Sequence, residues 1–246
     1  MISGEKLCNL CDRSIEYIEN FKTDEYNRIV IGSYTCLNYL KYLAEDAGDM
    51  KNVQYDIVIP VISQMQSNIL NDSSMIGLFK QAHSVVINDY GMLDYFNEKG
   101  LGEKIRLGRC FVKDYRDFRY PEYDHSYHKG YIKTQIDVLR RLGYAINSIE
   151  TDIISSDYDL STLYDCDIYY HYPFRMVSLS HICEFASIGK DIEKKFIPDD
   201  TCSFQCQKHY YLGNGLYKMG RGLYDLLSEE YLTQFNDSIN LIIFPR

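Results

Sequence analysis

The sequence predicts an α/β protein, a parallel βα barrel of the TIM type in an incomplete or open form. Three observations predict it. Short β-branched runs alternate with segments of helical period, the runs are apolar enough to be buried on both faces, and no composition break divides the 246 residues. About six such strands are legible where a full barrel of this type has eight. The chain therefore reads as one domain over residues 1–246, with a barrel core at 28–172 and a cysteine-bearing carboxyl-terminal part at 173–246.

The elements follow in order. Residues 14–22 (SIEYIENFK) place Ile15, Ile18 and Phe21 near helical spacing, and no strand is legible before them. RIVIG at 28–32 is a short strand closed by glycine, and the next segment sets Leu37, Leu40 and Leu43 on one helical face. DIVI at 56–59 is a strand ended by Pro60. Asn71-Asp72-Ser73-Ser74 reads as a loop capping the helix SMIGLFKQA. SVVIN at 84–88 leads into a helix at 92–98, and KIRL at 104–107 is the next strand. Residues 108–130 are polar and aromatic without a period, which suits a functional loop better than a linker. A helix at 131–142 is followed by a strand at 146–154, a short helix near 160–164 and a strand, DIYYHY, at 167–172. Residues 173–211 look irregular, and SINLIIF at 238–244 is a last strand.

Composition narrows the function. Acidic residues outnumber basic ones, 35 to 26, giving a formal net charge of −9. Such a chain lacks the broad positive field that holds a phosphate backbone, so no general nucleic-acid-binding surface is expected. No apolar run is long enough to insert in a membrane and no leader is legible, so a cytoplasmic protein is expected. The eight cysteines are then reduced, and metal binding or core packing are their open roles. Cys202 and Cys206 form a close pair (CSFQC), Cys183 precedes them, and Cys36 follows the strand ending at Gly32, on the carboxyl-end rim where such barrels build sites. Cys8 and Cys11 have the spacing of zinc and redox motifs, with exposed thiols on an amino-terminal helix as the alternative. Cys110 and Cys166 read as buried small apolar residues.

Three motifs carry a resemblance. Asn88-Asp89-Tyr90-Gly91-Met92-Leu93 after a strand, Leu107-Gly108-Arg109 ending the next, and Arg116-Asp117-Phe118-Arg119 beyond it resemble peptidase family U-thirty-two, the collagenase-like proteins. The order and spacing are most similar to its UbiU/UbiV-like iron–sulfur branch, over residues from about 28 to the end. IETD at 149–152 resembles the family's glutamate-bearing strand, whereas no counterpart of the family's first strand is legible at the amino terminus.

The resemblance implies a 4Fe–4S cluster held by one early cysteine and three late ones, which map to Cys36, Cys183, Cys202 and Cys206. It also implies oxygen-independent hydroxylation, or a related redox modification, of a small aromatic or RNA-linked substrate. Prephenate is the implied oxygen donor and a second family member the implied heterodimer partner. The inherited word peptidase finds little support: neither G-x-S-x-G nor HExxH occurs. A non-catalytic scaffold with a structural cluster, and a hydrolase, remain the contrasting readings. For substrate contact, Arg175 is the candidate to hold a carboxylate, and His171 and His181 to move protons, each with a plain structural role as the alternative. His125 and His128 are more naturally solvated loop residues and Asp89 a helix cap, while Lys113, Arg116 and Arg119 form a local basic patch for an anionic substrate or acidic surface, with a solvated loop as the equal alternative.

Overall fold

A computed structural model describes residues 4–46, 53–111, 125–153, 165–180, 182–197, 202–207, 211–213, 215–234 and 239–245. The first strand, β1 (Lys6–Asn9), precedes helix α1 (Ile15–Glu19), whose amino end is capped by the Ser14 hydroxyl accepting from Tyr17 N at 3.3 Å. Alternation then continues through β2 (Arg28–Gly32), α2 (Leu37–Asp46), β3 (Tyr55–Val58), α3 (Ser73–Gln81), β4 (Val85–Ile87), α4 (Gly91–Glu98), β5 (Ile105–Leu107), α5 (His125–Arg141), β6 (Ser148–Asp152) and β7 (Asp167–Tyr172). Asp72 caps α3, accepting from Ser74 N at 2.9 Å, as the loop sequence suggests.

These strands form a closed parallel barrel, so the expected barrel class stands but the expected open form does not. The barrel is completed by two strands beyond residues 28–172, β1 and a carboxyl-terminal strand paired with it in register Lys6↔Leu241. β1 is illegible because KLCN is four residues long and mixes a charge, a thiol and an amide, yet Leu7, Cys8 and Asn9 are all buried. Inside the barrel Leu7, Val30, Val58, Val86, Tyr169 and Ile242 pack together, one each from six strands, while the outer faces meet the helices in a larger apolar cluster. This is the layered interior of a side-chain-filled barrel.

Between the seventh and eighth barrel strands the chain makes an excursion. β8 (Phe174–Leu179), β9 (Tyr211–Gly213), β10 (Leu216–Met219) and β11 (Gly222–Leu226) build an antiparallel sheet in the order β8-β11-β10-β9 before β12 (Asn240–Ile243) returns to the barrel. Residues 173–211 are thus not irregular throughout. The expected loop at 108–130 also changes at its end, because α5 begins at His125; residues 112–124 and the expected helix at 160–164 lie outside the described residues. Among the described residues no helix is long and apolar enough to cross a membrane.

The excursion is fastened over the carboxyl ends of the barrel strands. Arg221, in the β10–β11 turn, donates from its backbone N to Thr35 Oγ1 at 3.2 Å and from Nε to the Thr35 carbonyl at 2.5 Å. Gly220 fits beneath this contact because a Cβ there would stand 2.6 Å from Thr35 Oγ1. Gly32 is the other obligatory glycine: its φ is +96° and a Cβ would collide with the Val58 carbonyl oxygen. That turn aims the segment carrying Tyr34, Thr35 and Cys36 across the barrel mouth.

Candidate functional site

Polar side chains occur at inward-facing strand positions and connect into a ladder. At the lower end the Arg28 guanidinium donates to both oxygens of Glu5, at 2.9 and 2.7 Å, and approaches Asp56 Oδ1 at 3.4 Å. Asp56 Oδ2 accepts from Arg106 Nη1 at 2.8 Å, and that nitrogen lies 3.6 Å from Glu150 Oε1. Arg106 is 1% exposed and lies over the Tyr169 ring at 3.7 Å, while the Tyr169 hydroxyl donates to Glu5 at 2.7 Å. Burial raises the Asp56 carboxyl's pKa, but Arg106, His83 and Arg28 outweigh it and hold the group below its ordinary range.

The upper end of the ladder opens at the mouth. Glu150 Oε2 accepts from the Tyr34 hydroxyl at 2.8 Å and from His171 Nε2 at 3.0 Å. A carboxylate can only accept here, so this bond places the His171 proton on Nε2. Burial, then the nearby Arg109 charge, push the His171 pKa below its ordinary value and favour the neutral ring. Arg109 donates to Asp152 Oδ1 at 2.6 Å and to the Phe174 carbonyl at 2.9 Å, so it ties the barrel rim to β8. Although only 4% exposed, its Nε–H has no hydrogen-bond partner among the described residues.

His171, Tyr34 and Arg109 line a cavity at the mouth whose space, counted with its opening, is about 560 Å³. Most of that figure is open solvent, and the enclosed part has room for only a few waters. Its walls include Tyr172, Phe174 and Phe244, with the last two rings edge to face at 5.1 Å, and Cys206 reaches its lining. A second cavity, with about 180 Å³ for water-sized centres, lies between Val61, Cys110, Met176 and Leu179, and Arg109 and Asp152 border it too.

Of the four cysteines assigned by resemblance, Cys206 lines this mouth. The Cys206 thiol is pushed upward in pKa by burial, by Asp12 and by the thiols of Cys36, Cys183 and Cys202, so all three lie within electrostatic range of it. Burial, Asp12 and Cys202 likewise raise Cys36, to about 12. Two local features bring them together. The Ser33 hydroxyl accepts from Thr35 N and Cys36 N, at 3.0 and 2.8 Å, fixing Cys36 at the start of α2. Phe204, between the paired cysteines, packs at a tilt against Tyr42 of that same helix with centroids 4.9 Å apart.

Among the described residues no three His, Cys, Asp or Glu side chains stand as one shared metal ion requires. A cubane differs in that each thiolate binds its own iron corner, so separated thiols around a common centre are the fitting donor set. By donor chemistry, Cys36, Cys183, Cys202 and Cys206 are the thiols that could hold such a group.

Of the substrate candidates, His171 lines the mouth, whereas Arg175 does not. Its fork is engaged by Asp225 on the adjacent strand, Nε–Oδ1 2.9 Å and Nη2–Oδ2 2.7 Å. His181, Lys113, Arg116 and Arg119 lie outside the described residues. Asp89 has a structural role, accepting from Met92 N at 3.2 Å and Ile62 N at 3.1 Å. Cys8 and Cys11 are buried rather than exposed and belong to β1 and its turn, with Cys11 in the cavity wall. Cys110 and Cys166 are half-buried. Sequence reasoning missed Tyr34, Arg106 and Asp152. A signal existed: charges inside apolar strands, as in DIVI, KIRL and IETD, have nowhere to go but the barrel axis. No family model matches the chain, and neither a curated protein nor a solved structure does.

Proposed function

We propose that the chain is an iron–sulfur protein of the collagenase-like, UbiU/UbiV-like type, active in oxygen-independent hydroxylation or a related redox modification of a small aromatic or RNA-linked substrate. The observation that carries the reading is the placement of two of the assigned cysteines: the Ser33 hydroxyl fixes Cys36 at the start of α2, Phe204 of the Cys202–Cys206 pair packs on Tyr42 of that helix, and Cys206 lines the barrel mouth. Cys36, Cys183, Cys202 and Cys206 would hold a 4Fe–4S cluster. When bound, the cluster supplies one-electron transfer, since four thiolates leave no iron corner open for Lewis-acid chemistry.

The remaining work falls to the chain's own residues. Tyr172, Phe174 and Phe244 supply aromatic walls for a ring, Arg109 supplies positive charge at the rim, and the hairpin carrying Gly220 and Arg221 covers the mouth. A cytoplasmic location suits cysteines that form no disulfide among the described residues. Prephenate as oxygen donor and a second family member as heterodimer partner complete the proposal. Anaerobic purification with iron and acid-labile sulfide analysis tests it: about four of each per chain support the reading. Iron-free protein after anaerobic reconstitution overturns it.

A further inference from the structure

The cavity between the barrel rim and the excursion sheet has room for a molecule, about 180 Å³. Val61 reaches it from beyond β3, Cys110 from beyond β5 and Asp152 from the end of β6, while Met176, Ser178 and Leu179 come from β8. The carboxyl ends of the barrel strands are where this architecture builds its sites. Val61, Cys110, Met176 and Leu179 make most of the wall apolar. Its two charges cancel. Arg109 Nη2 donates to Asp152 Oδ1 at 2.6 Å and to the Phe174 carbonyl at 2.9 Å, and Asp152 Oδ2 accepts from Met176 N at 3.1 Å. A charged ligand would lose its water there without gaining a counter-charge. Cys110 N donates to Asn88 Oδ1 at 3.3 Å, and the Cys110 and Met176 sulfurs stand 4.0 Å apart. A methionine thioether makes favourable contacts with aromatic rings beyond those it makes with saturated chains.

We propose that this cavity binds a small neutral aromatic molecule, a single ring of about six to eight non-hydrogen atoms. An apolar cavity of about 150 Å³ is known to accept benzene, so 180 Å³ accommodates such a ring with one short substituent. Ser178 is exposed, so the cavity reaches solvent along that side of β8. Binding is non-covalent: burial of the ring against Val61, Met176 and Leu179 drives it, and the neutral wall sets the class of ligand. Among the described residues, Arg109 is the one side chain that lines both this cavity and the mouth, and none of the four assigned cysteines lines this one. The site therefore stands apart from the redox reading and does not rest on it.

The test titrates toluene into the full chain carrying ¹³C-labelled methionine methyl groups. Of the seven methionine resonances, that of Met176, identified with M176L, is expected to move most, with half-saturation at about 1 mM or below. Met219 lines the mouth, so a larger shift there would place the ligand at the mouth and overturn the proposal. Benzoate and benzylammonium, near toluene in size but charged, are expected to bind at least about tenfold more weakly. Equal affinity for either overturns the neutral class, and equal affinity for methylcyclohexane overturns the aromatic one. V61F, which fills the cavity from its loop side, is expected to weaken toluene by about tenfold or more, and unchanged binding overturns the location. If V61F does not fold, the wild-type shifts and the charged analogues still decide. A Met176 resonance that stays in place up to the solubility of toluene overturns the proposal outright. Because the readout is a methyl group and a ligand series, these results are independent of iron content.

Discussion

Arg106→Met breaks the middle of the buried ladder, and its cost follows from what the guanidinium touches. Its Nη1 lies 2.8 Å from Asp56 Oδ2 and 3.6 Å from Glu150 Oε1, and it stacks on Tyr169 at 3.7 Å. Methionine fills much of the volume but leaves two carboxylates in the barrel axis with one cation fewer. Removing one member of a buried pair costs about 3–5 kcal/mol. Asp56 keeps Arg28 at 3.4 Å and Glu150 keeps His171 and Tyr34, which places the loss toward the lower half of that range. For a chain of this size each kcal/mol lowers the melting temperature by about 2–4 °C, so a fall of about 6–16 °C is expected. Thermal melting followed by circular dichroism measures the fall, and urea unfolding the free-energy loss. In the Asp56→Asn/Arg106→Met double variant one of the two orphaned carboxylates is gone, and the combined loss should be smaller than the sum by about 1–3 kcal/mol. A single-variant loss below about 1 kcal/mol, or strict additivity, refutes the ladder as a coupled unit.

Other outcomes follow from the same structure. The folded-state pKa of His171 lies below its ordinary 6.5, so folding releases protons as pH falls through that value. Its contribution is therefore complete above about pH 6.5 and declines as pH drops toward the folded pKa; H171N should flatten this part of a stability–pH curve, and an unchanged slope contradicts it. Gly32→Ala forces a Cβ against the Val58 carbonyl at φ +96° and should cost at least about 1–3 kcal/mol by thermal melting; a neutral result would mean that the Cys36 turn is not tightly held. Cys8 is fully buried with its thiol raised to about 12, so alkylation mapped by mass spectrometry should leave it unlabelled in folded protein and label it in denaturant.

Much of the barrel is legible because its central strands announce themselves: RIVIG, DIVI and SVVIN are β-branched, buried and followed by helical periods. What is not legible depends on long-range pairing. β1 has only four residues, and its partner β12 is separated from it by nearly the whole chain, so closure is invisible to any local window. β8 is missed for a different reason. FRMVSL has no clean alternation because it is half-buried along most of its length, against β11 on one edge and the rim below. The site divides in the same way. His171 stands out as an ionisable residue in an apolar strand, whereas Arg175 has the same local appearance as a ligand anchor until Asp225 arrives from fifty residues away. Glu150, within IETD, gains its meaning only where Tyr34 and His171 converge on one of its oxygens.

The most direct test replaces cysteines singly with serine under anaerobic conditions and counts iron per chain. If the late trio and the distant Cys36 ring one inorganic centre, C36S, C183S, C202S and C206S should each lose most of the metal while C8S and C166S keep it. Iron retained in C36S at the wild-type level would contradict the account.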